Sequence, residues 1–262
     1  MIAKYFTTTQ ALELAKKNKI QHHTAHILSC MAENEVTPPV LGIAWDGTGY
    51  GTDGTIWGGE FIYCTEDSAK RIACFSPFHL IGSEQAIREP GRIAVSLLYE
   101  TFGRDYVLSA PMKVLHSFDK MTLHNMVTMI EKKINTPHVS SVGRLFDGIS
   151  ALLGICSDST YDGQAAMNLE FVLEETVSDQ SYPVKIDIKN GLRIIETTSI
   201  VRGVVTDIEN GLSVGPVSAK FHNTLANITV SIAEAVKIKK VALSGGCFQN
   251  KYLVEKISKL LT

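Results

Sequence analysis

The sequence contains no Cys-x-x-Cys pair. Its five cysteines, at positions 30, 64, 74, 156 and 247, are odd in number and irregularly spaced. That pattern excludes a zinc ribbon and a disulfide framework, and it fits a reducing cytoplasm. No apolar run approaches membrane-spanning length, and the N-terminus lacks the basic stretch and apolar segment of a signal peptide. Positive charge is not in excess: 25 Lys and Arg stand against 27 Asp and Glu, for a net charge of −2. No basic stripe is available to hold nucleic acid by its phosphates. Internal repeats and low-complexity tracts are also missing. What remains is an ordinary globular composition, 45% hydrophobic and 20% charged over 262 residues, enough for one large domain or two lobes with real cores.

Periodicity predicts helices over Ala11–Lys17 and His22–Glu33, the second ended by Pro38-Pro39. Strands follow at Val40–Trp45, Ile56–Cys64 and Arg71–Phe75, joined closely enough to suggest an antiparallel start to a sheet. Helical spacing covers Glu84–Phe102, interrupted near Pro90-Gly91, then Met121–Ile134, Ser140–Leu153 (with Ser140 or Ser141 as cap) and Ala165–Glu175. Tyr182–Ile188 and Leu192–Glu196 read as a hairpin about Lys189-Asn190-Gly191. A long helix over Val217–Val236 precedes a strand at Lys240–Ser244, a glycine pair and a helix from Gln249. A strand–glycine–helix unit in a twisted α/β sheet is normally followed by another strand. The sequence therefore reads as a fragment of a larger fold.

The chemistry starts with His22-His23-Thr24-Ala25-His26. His22 and His26 are four apart and share a helix face, close enough for one cation, although His23 is an alternative ligand in another register. Twenty residues on comes Asp46-Gly47-Thr48-Gly49-Tyr50-Gly51. Asp-Gly is an ordinary hairpin signal, but this glycine density exceeds what a turn needs and suits close approach of a ligand. Two imidazoles and a carboxylate suit Zn or Fe with room for substrate. Ser244-Gly245-Gly246 after an apolar strand reads either as a phosphate-binding helix start or as a tight turn, with Asn250 placed to meet a base or ribose. Gly143 to Gly148 puts Asp147-Gly148 inside a helix. That means either a ligand's close approach or a solvent-facing Asp. Gly163, within Tyr161 to Ala166, either admits a nucleotide to a helix start or is merely loop. Arg88, Glu89 and Arg92 read as an internal ion pair, His222 as a core-edge histidine, and Cys247 as a small buried residue rather than a nucleophile.

Taken in order, the strings QHHxAH, DGTGYGxDGxxWGGEF, AIREPxRxA, SSxGRLFD, YDGQAAMxLE, KFHN and LSGGCFQN resemble the C-terminal domain of the HypF family, carbamoyltransferases of NiFe hydrogenase maturation. The resemblance covers essentially the whole chain. It implies an α/β, two-lobed ASKHA fold (actin-like, sugar-kinase-like) whose first lobe is incomplete. Residues 1–39 would be a remnant of that lobe with the metal-binding helix, and residues 40–262 would form the second lobe. It also implies a divalent metal on His22, His26 and Asp46, normally completed by a further aspartate in a PxNDGG motif that this sequence does not reach. ATP or carbamoyl-adenylate would lie against Gly47, Thr48, Gly143, Asp147, Gly163, Gly245, Gly246 and Asn250. No residue of the chain is expected to act as a catalytic nucleophile, because the acceptor thiolate would be the C-terminal cysteine of the partner HypE. The family's other parts are YrdC-like, acylphosphatase-like and zinc-finger domains. Transfer to tRNA threonylcarbamoyl or to a hydroxyl acceptor, and a non-catalytic nucleotide-binding fragment, are the rival readings.

Overall fold

The computed structural model describes residues 20–173 and 178–262. The helix expected over Ala11–Lys17 and the last residues of the one expected over Ala165–Glu175 lie outside that range. Helix α1, His22–Glu33, is followed by three antiparallel strands: β1 Val40–Tyr50, β2 Ile56–Cys64 and β3 Ala69–Phe75. β1 runs five residues beyond its expected end, because it continues through the glycine-rich stretch as half of a hairpin.

β4 Phe78–His79 leads into a helical block: α2 Glu84–Arg88, α3 Pro90–Phe102, α4 Arg104–Ser109, α5 Lys113–His116 and α6 Lys120–Glu131. Pro90 splits α2 from α3 as expected and sits at N1, where its missing N–H costs nothing. β5 His138–Val139 returns the chain to the start of β2. Next come α7 Val142–Leu152 and α8 Gln164–Phe171. The hairpin of β6 Ile186–Lys189 and β7 Leu192–Ile195 turns on Asn190 and Gly191, both at positive φ (51° and 79°), the conformation a two-residue turn demands. Helix α9, Thr197–Glu209, is amphipathic but has no counterpart in the sequence reading. Its Thr-Thr-Ser start and three valines mask helix propensity, which packing against the core overrides. Helix α10, Val214–Val236, is about 34 Å long. β8 Val241–Ser244, a 3₁₀ turn at Gly246–Gln249 and α11 Lys251–Leu261 complete the described structure.

β8 lies parallel to β1, with Ala44 beside Ser244. Through that pairing the mixed sheet joins the two ends of the described chain. The large core fills one face: Trp45, Phe61 and Phe75 pack with Phe146 and Ile149 of α7 and with Phe221 and Leu225 of α10. On the other face α1 lies on a smaller cluster of Ile27, Met31, Val40, Ala44, Ile62 and Ala242. Gly42 makes that approach possible, since a Cβ there would stand 2.4 Å from the Ile27 side chain.

Helix α7 is buried on every side, as a central helix must be. Ser141 caps it by accepting from the Arg144 N–H at 3.0 Å. Gly148 is explained by α3, because a Cβ would lie 2.5 Å from Leu97. The neighbour that requires this glycine is thus a packed helix rather than a ligand, and Asp147 is buried rather than solvent-facing.

Candidate metal centre and adjoining cavity

The β1–β2 hairpin is irregular where it matters. Trp45 pairs with Gly59 and Gly49 with Trp57, so Asp46, Gly47 and Thr48 stand opposite the single residue Gly58. Such a bulge re-aims a side chain, and here it turns Asp46 toward α1. Ser141, at the head of α7, donates its hydroxyl hydrogen to the Asp46 carbonyl and pins the bulge from below.

On α1, Gln21 caps the helix by accepting from the Thr24 N–H at 3.0 Å, and its amide donates to the Tyr50 carbonyl at 3.1 Å. One side chain therefore ties the start of the helix to the hairpin. Gly49 lets them touch: a Cβ would stand 2.4 Å from the His23 ring and 2.6 Å from the His22 ring.

In consequence three donor atoms converge. His22 Nε2 and His26 Nε2 are each 3.3 Å from Asp46 Oδ2 and 3.2 Å from one another. Among the described residues, this is the group of His, Cys, Asp and Glu side chains spaced to hold a metal ion. Donors gathered about a tetrahedral ion at about 2.0 Å stand about 3.3 Å apart, so the spacing fits a zinc-sized cation. Burial pushes the Asp46 carboxyl up. Hydrogen bonds from the Gly47 amide and His22, the nearby His26 and the Gly246 amide outweigh it and hold the carboxyl below its usual range. A ligand carboxylate must be ionised, so this arrangement favours binding.

His23, the alternative ligand, is not in the group. It is fully buried, its Nδ1 is 3.0 Å from the Gln21 amide, and its Nε2 has no partner. Burial, followed by neighbouring His22, lowers its pKa to about 4, so the ring is neutral.

Asp46 also borders a cavity of about 990 Å³ between the head of α7, the start of α8 and the turn after β8. Gly47, Gly143, Asp147, Gly163, Gly246 and Asn250 all line it, so residues more than 200 positions apart meet there. Thr48 is exposed and Gly245 lies behind the lining. A Cβ on Gly245 would stand 2.2 Å from the Trp45 carbonyl, which makes it a packing glycine beside β1. Asn250 is the N-cap of α11, accepting from the Leu253 N–H at 2.8 Å, and its amide nitrogen donates to His222 Nε2 at 2.9 Å. Both ends of its carboxamide are already engaged. His222 is wholly buried, with Nδ1 donating to the Ser218 carbonyl at 2.8 Å, and burial lowers its pKa to about 4.

Arg144 and Asp162 are among the lining residues that the sequence did not single out. Arg144 Nη1 stands 3.0 Å from Asp147 Oδ2, and its Nη2 donates to Asp162 Oδ1 at 2.8 Å. Burial pushes the Asp147 carboxyl up to about 7 against the pull of Arg144, with Asp162 adding to the rise. Sequence alone could not show this, because Arg144, Asp147 and Ser150 fall three apart as a polar stripe that reads like a solvent-facing side of α7, whereas the structure buries it. Farther along the cavity, α8 contributes Met167 and Phe171, α11 contributes Tyr252, and the Tyr252 N–H donates to Glu170 at 3.2 Å. The same two helices also bring Glu170, Lys251 and Glu255 to the lining. Cys247 borders the cavity too. Burial, and then the carboxylates of Asp46 and Asp147, raise its pKa, which leaves a poor nucleophile.

The Arg88–Glu89–Arg92 group resolves into one pair, Arg92 with Glu89, and the Arg88 carbonyl accepts from the Ser159 N–H at 2.8 Å. The Trp57-Gly58-Gly59-Glu60 string is likewise structural. Buried Glu60 accepts from Ser140 at 2.6 Å and pairs with Arg71, which covers the Trp57 ring.

Residues 42–262 match a family model described as "Carbamoyltransferase, Kae1-like Domain, second subdomain", and residues 2–33 match the HypF Kae1-like domain. The chain is 41% identical over 248 residues to the carbamoyltransferase HypF of Synechocystis sp., covering 90% of this chain and 32% of that protein. It is 30% identical over 266 residues to a probable carbamoyltransferase HypF of Methanocaldococcus jannaschii, covering 97% and 34%. It thus spans about a third of the length of these two relatives. Among solved structures, full-length HypF in a phosphate- and nucleotide-bound form superposes with a TM-score of 0.84 at 38% identity, over 95% of this chain and 40% of that one. HypF of T. kodakarensis gives 0.79 at 30%, over 99% and 35%. The ASKHA-type, Kae1-like α/β fold expected from the sequence is the fold observed.

Proposed function

Because the chain belongs to the HypF carbamoyltransferase family, we propose that it houses the transfer half of a carbamoylation in NiFe hydrogenase maturation. The cavity takes carbamoyl-adenylate, and the carbamoyl group passes to the C-terminal cysteine thiolate of HypE with release of AMP. The observation that carries the reading is that one carboxylate, Asp46, belongs both to the donor triangle and to the cavity wall. A cation gripped there adjoins whatever fills the cavity. Support also comes from the solved relative whose structure holds phosphate and nucleotide.

His22, His26 and Asp46 would hold a divalent cation such as Zn or Fe, which supplies Lewis acidity and a template for the acyl group. The protein does the rest by positioning. Glycines at 47 and 246 keep side chains off the Asp46 end, and their backbone amides hold the Asp46 carboxylate in place. Met167, Phe171 and Tyr252 offer the flat apolar surface an adenine ring needs. Enclosure matters chemically, since an acyl-adenylate reached by water is hydrolysed instead of transferred. No nucleophile is required of this chain when the thiolate arrives with the partner.

The test uses the full-length parent protein. His22→Ala or His26→Ala is expected to abolish carbamoylation of the HypE C-terminal peptide, read by mass spectrometry. AMP formation from carbamoyl phosphate and ATP should persist. A carbamoylated peptide at the parent's level from either variant would refute the assignment.

A further inference from the structure

Arg144 is a buried cation with unused capacity. Its side chain is 4% exposed, yet only Nη2 makes a hydrogen bond, to Asp162. Nε has no partner, and Nη1, though near Asp147, is not aligned to donate to it. A structural arginine at such depth ordinarily spends its five N–H donors, because a buried donor left unpaired is costly.

The surroundings limit what Arg144 can be for. Among the described residues, five carboxylates line the cavity against two cations, and the other cation, Lys251, has a side chain 83% exposed. An anionic ligand entering this space meets net negative charge, relieved within the protein only at Arg144. That guanidinium lies at the Asp46 end: a Cβ on Gly47, the neighbour of Asp46, would stand 2.9 Å from its Nη2.

The two carboxylates on Arg144 are not equivalent. Asp147 is buried beside it, and breaking that pair would strand a charge in the interior. Asp162 has a side chain 75% exposed. On leaving, it is resolvated by water, and the cost falls on the buried Arg144, which then needs another anion in its place. The next residue, Gly163, has φ 82° and open space around its Cβ position, and the loop's ties lie to either side of Asp162, from Ser159 N–H to the Arg88 carbonyl and from Thr160 N–H to the Gln164 side chain.

Resting on the function proposed above, we propose that Asp162 is a displaceable stand-in for the substrate anion: in the empty cavity its carboxylate occupies Arg144, and the phosphate of the adenylate takes its place on that guanidinium. Arg144 is then the phosphate receptor of the site, held in reserve and kept from pairing with the wrong group. A guanidinium fork suits phosphate oxygens in a way an ammonium does not.

The test measures binding of AMP, adenosine and inorganic phosphate to the 262-residue chain by titration calorimetry. Thermal unfolding checks that each variant is folded. Arg144→Gln is expected to weaken AMP at least tenfold, and Asp162→Asn to tighten it at least threefold, with adenosine changed less than twofold in both. Arg144→Lys serves where the Gln variant does not fold, and it is expected to weaken AMP and leave adenosine alone. Equal weakening of AMP and adenosine would make Arg144 merely structural and overturn the proposal, as would weaker or unchanged AMP binding in Asp162→Asn. If neither nucleotide binds the parent chain but phosphate binds with the same pattern of variant effects, the anion receptor stands and the nucleotide reading falls. Absence of both AMP and phosphate binding overturns both.

Discussion

Adding one methyl group at Gly49 should loosen the donor triangle without touching a ligand. A Cβ there would lie 2.4 Å from the His23 ring and 2.6 Å from the His22 ring. Carbon atoms in contact rest about 3.5–4.0 Å apart, so α1 must shift by about 1 Å relative to β1. The donors are 3.2–3.3 Å apart, and a metal site tolerates errors of about 0.2 Å in its bond lengths. The displacement is several times that tolerance. Overpacking of this kind costs roughly 1–3 kcal/mol of stability, and loss of support behind metal ligands typically costs about 10–100-fold in affinity. Gly49→Ala is therefore expected to bind Zn²⁺ at least tenfold more weakly in competition with a chromophoric chelator, and to melt earlier when cation-free. A folded Gly49→Ala chain with zinc affinity within twofold of the parent would show that the close contact does not set the donor geometry.

Two further outcomes follow from buried groups. His222 has its pKa lowered by burial to about 4, so the stability it contributes is present above the ordinary histidine value of about 6.5 and lost as pH falls through about 4. Relative to His222→Gln, the parent should lose roughly 3 kcal/mol between those limits. Urea melts at pH 7, 5 and 4 measure this, and a pH-independent difference between the two proteins refutes it. For Gly148→Ala, helix propensity alone predicts a gain of about 1 kcal/mol. The contact with Leu97 at 2.5 Å predicts instead a loss of about 1–3 kcal/mol. The sign of the change in denaturation midpoint decides between them.

Much of the site could be read from the chain because its signals are local. The i, i+4 spacing of His22 and His26 fixes a shared face once the segment is helical, and the following Asp-Gly stretch implied a ligand at the hairpin. Asp46, Gly47, Gly143, Asp147, Gly163, Gly246 and Asn250 were named from local strings, and the fold brings them to one cavity wall. The misreadings came from tertiary contacts that no local string reports. Gly245 was left open between a phosphate contact and a tight turn, and the Asp147-Gly148 pair between a ligand's approach and a solvent-facing Asp; in the structure each glycine accommodates a neighbouring element, the Trp45 carbonyl and α3 respectively. Asn250 looked free to read a base, but it is committed to a helix cap and to His222. Arg144 was passed over because its neighbour Asp147 was weighed as a surface residue. The two-residue bulge at Asp46 has no sequence signature beyond its glycines. Strand β1 therefore read as ending at Trp45, where the structure carries it on to Tyr50.

The parallel seam between β1 and β8 also bears on how the protein assembles. Ala44 and Ser244 are 200 residues apart in sequence, whereas His22, His26 and Asp46 span only 25. Short loops close cheaply and remote ones slowly. The cation grip on the first hairpin is thus expected to form early, and the cavity wall only when the last strand zips home. Pulse-labelled hydrogen exchange during refolding would register this as protection of Phe61 before that of Leu243, and the reverse order would contradict it. Any lesion that frees the final strand and helix would then remove Gly246, Asn250 and Tyr252 from the cavity wall and Ala242 from the cluster under α1, so that the proposed metal and nucleotide sites would both be weakened.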